Sequence, residues 1–451
     1  MKLPRLNNNK KIIMQLALPV IAGLSVQAVL SLVDTAIIGR LPDAKYALAG
    51  LGIAFYATWA VISFFSSLSN GTQILVSRNF GSKNYEECGF VLNSSLIMAL
   101  SIGIIVSVLV VFFSSNVANL FASDKTVGSY AGSYLFYRFM GLPFFLLSVS
   151  YRGFYFGIGK TKIFMIAGAF ANLANIFLDY TLVFGAFGIK GMGLAGAGLG
   201  SAIATMLETS VYVVVSLMRS YRTKYALFKN LYFKSNIAKV ILKLSLPVSF
   251  QSIFTLTGLL LFISIIGIIG PSQQAASQVV LSALFLSFMP SMGFGVAAQT
   301  LVGNNLGENN IKAAKQWGFD TSKISTTYTL FLGLIFVLFP ETVVSILTTN
   351  TGIINIAVPV LRIAGFAQIF FGIGLVLANG LLAAGESFFV MITDVTINWL
   401  VFVPLAYLLG VVFHFGLIGV WAAMPFYTSL YALIIFLRFN SKTALKKVIQ
   451  Y

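Results

Sequence analysis

Two aspartates lie in stretches of the chain that are otherwise apolar. Asp34 lies in the apolar run of residues 12–39, which is long enough to cross a bilayer. A carboxylate at that depth costs at least ~2.5 kcal/mol on insertion scales, so its default interpretation is functional. Gln27 and Ser31 precede it by seven and three residues and share its helical face. This polar face needs a water-filled cavity or a polar partner helix.

A second apolar stretch supplies the expected partner. The sequence ANLANIFLDYT carries Asn172, Asn175 and Asp179, spaced three and four residues apart on one helical face. In a low-dielectric helix bundle, two nearby carboxylates should not both stay ionised, so the pair of Asp34 and Asp179 is expected to load a proton. The alternative is a structural hydrogen-bond network, and the two roles are compatible.

The composition indicates an integral membrane protein. Of 451 residues, 58% are hydrophobic and 9% are charged, whereas soluble proteins have about 25% charged residues. Apolar runs of about 20 or more residues recur along the chain, which predicts transmembrane helices rather than a barrel of alternating strands. The first run lacks a small-residue cleavage site, so we do not interpret it as a removable signal peptide.

Hydropathy and turn residues divide the chain into about twelve predicted spans, and the expected fold is therefore all-α. The spans are placed at residues 12–39, 47–77, 89–113, 129–157, 162–184, 192–218, 241–269, 275–302, 317–339, 353–384, 387–412 and 415–437.

The net charge of +17 is concentrated beside these spans. Basic residues cluster in the N-terminal tail, in the connector 219–243 and in the C-terminal tail. The positive-inside rule produces such clusters, with membrane lipids as neighbours, so nucleic acid is not an expected partner. An even number of spans places both termini on one side. We therefore expect a multi-pass protein of the cytoplasmic (inner) membrane with both termini in the cytoplasm.

The chain also contains an internal repeat. The motif LPV at residues 18–20 recurs at 246–248, and IIG at 37–39 recurs at 265–267 with the same offset. Two six-helix bundles related by a parallel repeat are predicted, and substrate sites in such transporters lie near mid-membrane. The predicted domains are an N-terminal lobe at 1–218, a basic connector at 219–240, a C-terminal lobe at 241–438 and a tail at 439–451.

When the two repeats are aligned, neither of the two aspartates has an acidic counterpart. Phe262 falls opposite Asp34, and Leu405 falls opposite Asp179. Proton or cation chemistry is therefore predicted within the N-terminal bundle alone.

Several motifs along the whole chain resemble those of the multidrug and toxic compound extrusion (MATE) family of transporters. They are LALPVIAGLSVQAVLSLVDTAIIGRL, NFGSKN, GFYFGIGKTK, NLANIFLD, GLAGAGLGSAIAT, LPVSFQ and GNNLGENN. The segment LVDTAIIG followed by YALAGLG, and the pattern N-x-x-N-x-x-x-D in the fifth span, look most like the DinF branch.

The resemblance implies a secondary active antiporter that exports organic cations in exchange for H⁺ or Na⁺ by alternating access. In DinF-like members the cation site of the N-terminal lobe corresponds here to Asp34, Asn175 and Asp179. Four further residues are assigned to the substrate cavity: Gln27, Ser31, Asn172 and Ser201. The resemblance implies a transporter rather than an enzyme, and we expect it to be a monomer.

One position departs from other branches of that family. NorM-like and eukaryotic members have a Glu eight residues after the proline of the seventh span, where this chain has Thr255. A C-terminal carboxylate site of that type is therefore not expected. Glu208 and Asp394 are further acids within predicted spans, and for each a functional role and a hydrogen-bonded interior position stay open.

Two other function classes remain as alternatives. A lipid-linked oligosaccharide flippase of the same superfamily often has cationic residues facing its cavity, whereas the acids found here favour cationic substrates. A membrane enzyme needs catalytic residues or a metal motif. The single histidine, His414, and the single cysteine, Cys88, can supply neither a metal site nor a disulfide, so no cofactor is expected.

Overall fold

The computed structural model describes residues 4–122, 124–228, 233–441 and 443–446, with side chains described from residue 8 onward. Within those ranges, all regular secondary structure is helical. The prediction of an all-α integral membrane fold is confirmed.

The helices of the first half cover residues 4–224. They are α1 (Pro4–Ile38), α2 (Ala44–Ser66), α3 (Leu68–Gly81), α4 (Tyr85–Phe121), α5 (Lys125–Met140), α6 (Leu142–Gly157), α7 (Lys162–Phe184), α8 (Leu194–Leu217) and the short α9 (Arg219–Lys224).

The second half begins at residue 235. Its helices are α10 (Ser235–Ile269), α11 (Pro271–Gly307), α12 (Ile311–Leu338), α13 (Pro340–Leu347), α14 (Thr351–Ala383), α15 (Ser387–Ile397), α16 (Val403–Tyr407) and α17 (Gly416–Asn440). Two π-helical turns, Asn398–Phe402 and Leu408–Val412, flank α16 and continue the helical path from α15.

Among the described residues, eleven helices are long and apolar enough to span a membrane. The predicted span at 129–157 is instead divided between α5 and α6, each of 16 residues. Gly141 separates the two helices and lies directly against Ala202 of α8. Pro143 follows in the first turn of α6, where its missing N–H is tolerated, so the sequence favours a new helix start at this point.

Contacts divide the described chain into two compact units. The N-terminal unit is Ala22–Leu246, and the C-terminal unit combines the residues up to Ile21 with those from Pro247 on. The predicted lobes 1–218 and 241–438 are a different division, drawn from the repeat, and they stay a prediction. The two units exchange their opening segments: the start of α1 packs with the second half, and the start of α10 packs with the first.

Named contacts within each unit account for this exchange. Ile13, Leu16 and Ala17 of α1 share an apolar core with Phe294 of α11 and its neighbours. In the N-terminal unit, a Cβ at Gly71 would lie 2.7 Å from the carbonyl oxygen of Ile241. The chain changes units close to Pro19 and Pro247, which are equivalent in the repeat and leave a gap in their helices' hydrogen-bond ladders.

The glycine-rich run at the start of α8 positions the helices that carry the acids. Gly196 contacts the backbone of Leu182 in α7, and Gly198 contacts the backbone of Tyr134 in α5. Any larger side chain at either position would separate these helices. The small residues therefore allow α7 and α5 to pack closely against α8.

Candidate functional site

The N-terminal unit brings Asp34 of α1 and Asp179 of α7 together, as the sequence predicts. Their carboxyl groups lie close enough to interact directly. Asp179 is 1% exposed, and Asp34 is half-buried. A hydrogen bond between two carboxyl groups requires a proton on one of them. A proton shared by the two acids would leave the pair with a single negative charge.

Asn175 orients the deeper acid. Its Nδ2 donates a hydrogen bond of 2.8 Å to Asp179 Oδ1 from the preceding turn of α7. Asn175 is 3% exposed, so this contact is shielded from solvent. Asp34 Oδ1 and Asp179 Oδ2 are buried and have no hydrogen-bond partner among the described residues. The two acids thus retain acceptor oxygens that a cation or proton donor can use.

Gly200 of α8 makes room for the Asp179 carboxylate. A Cβ at this position would overlap Asp179 Oδ1. The acid is therefore seated in the α7–α8 interface because the last glycine of GLAGAGLG has no side chain. The glycine run therefore has two roles: it allows the helices to pack closely, and it makes room for the Asp179 carboxylate.

Sequence reasoning missed two residues of α5, Tyr134 and Arg138. The charge of Arg138 acts on both acids of the pair. Its Nη1 also donates to Thr205 Oγ1 at 3.4 Å. Tyr134, one turn earlier, lies beside Ser201. The sequence did contain a signal for Arg138. This arginine lies nine residues inside the predicted span at 129–157, too deep to be explained as a residue at the end of a span.

The residues assigned to the substrate cavity have different environments. Gln27 and Ser31 are exposed on α1, and Asn172 is half-buried on α7. Ser201 is a neighbour of Tyr134, and Tyr134 is also close to both acids. Their role in substrate binding stays a prediction.

The repeat counterparts of the two acids are apolar and packed. Phe262 is 2% exposed in the apolar core of the C-terminal unit, and Leu405 packs against that core. The acid pair is therefore not repeated at the equivalent positions.

The C-terminal unit nevertheless contains a carboxylate that contacts Thr255. Asp394 of α15 is 5% exposed. Its Oδ2 accepts hydrogen bonds from Gln251 Nε2 at 2.9 Å and Thr255 Oγ1 at 3.0 Å, and its Oδ1 accepts one from Tyr427 OH at 2.6 Å. The other acid left open, Glu208, accepts a bond of 3.2 Å from Tyr212 OH on the next turn of α8.

Within the described ranges, no group of three or more His, Cys, Asp and Glu side chains could hold a metal ion. The acid pair, Asn175 and Arg138 instead form a polar cluster among the helices of the N-terminal unit. An all-helical, multi-span protein built from a repeat has the architecture of membrane transporters.

The family is defined by sequence comparison. The MatE family profile matches residues 19–181 and 247–408, which together exceed half of the chain. The chain therefore belongs to the MATE family. The two matches begin at Pro19 and Pro247, the positions that align in the internal repeat.

Individual relatives cover nearly the whole chain. The probable multidrug resistance protein NorM of Thermotoga maritima is 28% identical over 417 residues, covering 92% of this chain and 89% of that protein. A MOP superfamily transporter from Pyrococcus furiosus has a solved structure that superposes with a TM-score of 0.87 at 22% identity, covering 98% and 97% of the two chains. The eukaryotic MATE transporter AtDTX14 superposes with a TM-score of 0.83 at 18% identity, covering 98% and 97%. These two likenesses establish the fold.

Proposed function

We propose that the protein is a multidrug efflux antiporter that exchanges organic cations for H⁺ or Na⁺, with coupling at Asp34, Asp179 and Asn175. The observation that carries this proposal is the close pair of buried acids on which the charge of Arg138 acts. Membership of the MATE family and relatives named as multidrug resistance proteins support the substrate class. Assignment to the DinF branch is part of the same proposal.

Charge balance explains how such a site exchanges one cation for another. With both acids ionised, the pair and Arg138 together have a net charge of −1, which attracts an organic cation. One proton, or one bound Na⁺, brings that net charge to zero and removes the attraction. Substrate and coupling ion therefore compete for the same negative charge. Each of the two ligands binds one conformation of the protein more tightly than the other, and this difference in affinity shifts the equilibrium between the conformations.

The test uses purified protein in proteoliposomes with an imposed H⁺ or Na⁺ gradient and a cationic fluorescent dye. Wild-type protein should export dye with one of the gradients, and Asp34→Asn should abolish that coupling. Asp43→Asn is the matched control, because Asp43 precedes α2 without a side-chain capping bond and Asn is an equally good cap residue. Gradient-driven export by folded, inserted Asp34→Asn protein contradicts the coupling assignment.

The alternative of a lipid-linked oligosaccharide flippase is less well supported. Such a function needs a cation free to bind a pyrophosphate, whereas the charge of Arg138 acts on the acid pair. Translocation of a lipid-linked pyrophosphate in the same proteoliposomes, without dye export, would favour the flippase.

We also propose that the protein resides in the cytoplasmic membrane with both termini inside. After Cys88→Ser, single cysteines at Asn8 and Lys446 should resist a membrane-impermeant thiol reagent in intact cells. A cysteine at Lys125, which is exposed at the start of α5, should react and serves as the control. Labelling at either terminal position from outside overturns this topology.

A further inference from the structure

A groove of about 560 Å³ lies on the surface of the N-terminal unit, where the candidate span of α8 ends at Leu217. This volume is within the range of small-ligand sites, about 300–1,000 Å³. Charged, polar and apolar side chains line it together, including Glu86, Arg219, Arg222, Thr223, Leu217 and Leu227. The groove therefore presents both signs of charge beside apolar surface at the end of a membrane span.

The residue order in α9 places its two arginines on the outside. Arg219, Arg222 and Thr223 have the spacing i, i+3 and i+4, so they share one face of this short helix. All three are exposed. Tyr221 lies on the opposite face and packs its ring against Tyr155 of α6, with 5.9 Å between the ring centroids. The aromatic contact therefore attaches α9 to the unit and leaves the basic face open.

The turn after α9 is fixed to the start of α4, the helix that carries Glu86 in its first turn. A Cβ at Gly89 would overlap the carbonyl oxygen of Tyr225, so only glycine permits this close approach. Lys224 Nζ lies 4.3 Å from the centroid of the Tyr85 ring, within the ~6 Å of a cation–π contact. These contacts keep Glu86 and the arginines of α9 at the same groove.

The charged side chains of the groove have no ionic partner among the described residues. The ion pairs there are Lys234–Glu87 and Arg438–Glu386. Glu86 and the two arginines line one groove without pairing with each other. A ligand that carries both a negative and a positive group can therefore interact with both kinds of side chain at once.

Apolar surface continues from the groove along α8. Val214, Leu217 and Met218 are 59%, 50% and 50% exposed at the end of this helix. In a bilayer, the exposed apolar side chains of a span contact the hydrocarbon region. A lipid whose acyl chains lie against them would have its headgroup at the level of the groove.

We propose that the groove binds the headgroup of phosphatidylethanolamine. Arg219, Arg222 and Thr223 donate hydrogen bonds to the phosphate oxygens, and the Glu86 carboxylate accepts one from the ammonium group. Guanidinium groups suit this role because their planar forks match phosphate geometry. Phosphatidylglycerol has the phosphate without an amine, so it would leave Glu86 unpaired beside a negative charge.

The experiment is native mass spectrometry of the full-length protein in detergent, with equimolar phosphatidylethanolamine and phosphatidylglycerol of identical acyl chains. Wild-type protein should bind phosphatidylethanolamine preferentially. Glu86→Gln should lower the affinity for this lipid about fivefold and raise that for phosphatidylglycerol, because an attraction and a repulsion are lost together. Arg219→Gln and Arg222→Gln should each weaken both lipids about fivefold, since the phosphate is common to them.

Two exposed residues outside the groove provide matched controls. Glu308→Gln removes a glutamate at the end of α11, and Arg40→Gln removes an arginine in the turn after α1. Both variants should keep the wild-type preference. Soluble glycerophosphoethanolamine should compete only weakly, because it lacks the acyl chains that contact α8.

Several results would overturn the proposal. Wild-type protein that binds the two lipids equally, or that prefers phosphatidylglycerol, excludes recognition of the amine. A Glu86→Gln variant that keeps the wild-type preference excludes the role of this carboxylate, and undiminished binding by either arginine variant excludes the phosphate contact. Displacement by an equal concentration of glycerophosphoethanolamine would identify a soluble phosphate ester as the ligand. The measurement does not involve transport, so its outcome is independent of the coupling assignment.

Discussion

Gly200→Ala is the sharpest test of how the acid pair is held. The added methyl group would overlap Asp179 Oδ1, and it would also lie 3.4 Å from Asp179 Cγ and from the backbone nitrogen of that residue. Withdrawal of α7 from α8 would open the close contact between Gly196 of the same α8 face and the backbone of Leu182, so movement of the carboxylate is the smaller change. The carboxylate must therefore rotate away by about 1 Å to restore van der Waals contact.

This rotation has a calculable consequence for ion binding. It breaks the 2.8 Å bond from Asn175 to Asp179, and a hydrogen bond to a charged group contributes about 1.5–3 kcal/mol. At 1.4 kcal/mol for each factor of ten, the affinity for the coupling ion should change by about 10- to 100-fold, upward for H⁺ because the lost donor stabilised the ionised carboxylate. The assay is dye export from proteoliposomes at graded H⁺ or Na⁺ gradients, read as the gradient that gives half-maximal export.

Gly168→Ala is the matched control. Gly168 also lies in a helix of this unit, and a Cβ there would meet no atom within 4 Å. Both substitutions raise helix propensity by a similar amount, about 1 kcal/mol, so the difference between them isolates the contact with Asp179. If the two variants export dye with the same ion dependence, the carboxylate is not held in the way described.

Three further substitutions probe other contacts. Arg138→Met removes the cation that balances the acid pair, so a cationic dye should bind about tenfold more tightly and leave more slowly in equilibrium binding and efflux assays; Arg138→Lys should stay close to wild type. Arg438→Met breaks the 3.1 Å pair with Glu386 and should cost about 1–2 kcal/mol, since the pair is only partly buried, measured as a lower midpoint of thermal unfolding. Asn9→Leu removes a donor from buried Asp320 of α12 and should destabilise the protein by about 1–3 kcal/mol in the same assay, whereas unchanged stability would show that this bond does not hold α1 against α12.

The sequence predicted the acid pair because intramembrane carboxylates are rare and their helical spacing is local information. Each acid and its polar neighbours lie within about two helical turns: Gln and Ser with Asp34, and Asn with Asp179. A short stretch of sequence was therefore sufficient to identify each group. The break at Gly141 had a local signal in the proline that follows it. The span prediction missed this break because a hydropathy average measures how apolar the residues are and contains no information on backbone hydrogen bonds.

The contacts that sequence reasoning missed join residues far apart in the chain. Thr255 and Asp394 are separated by 139 positions, and Arg138 and Thr205 by 67. The repeat alignment gave no signal for the hydrogen bonds around Asp394 in the C-terminal unit. It compares equivalent positions, whereas Asp394 approaches α10 from a helix position that has no acidic counterpart in the first half.

The exchanged opening segments determine the order in which the protein can be assembled during synthesis. The segment that ends at Ile21 packs against Phe294 and its neighbours, so it has no permanent partner until the ribosome has made α11. The start of α10, by contrast, packs against Gly71, which has already been synthesised when α10 leaves the ribosome. A chain cut between residues 225 and 234 would yield two fragments, each of which leaves an apolar segment uncovered until the other arrives. Co-expression of such fragments should therefore restore a protein that neither produces alone.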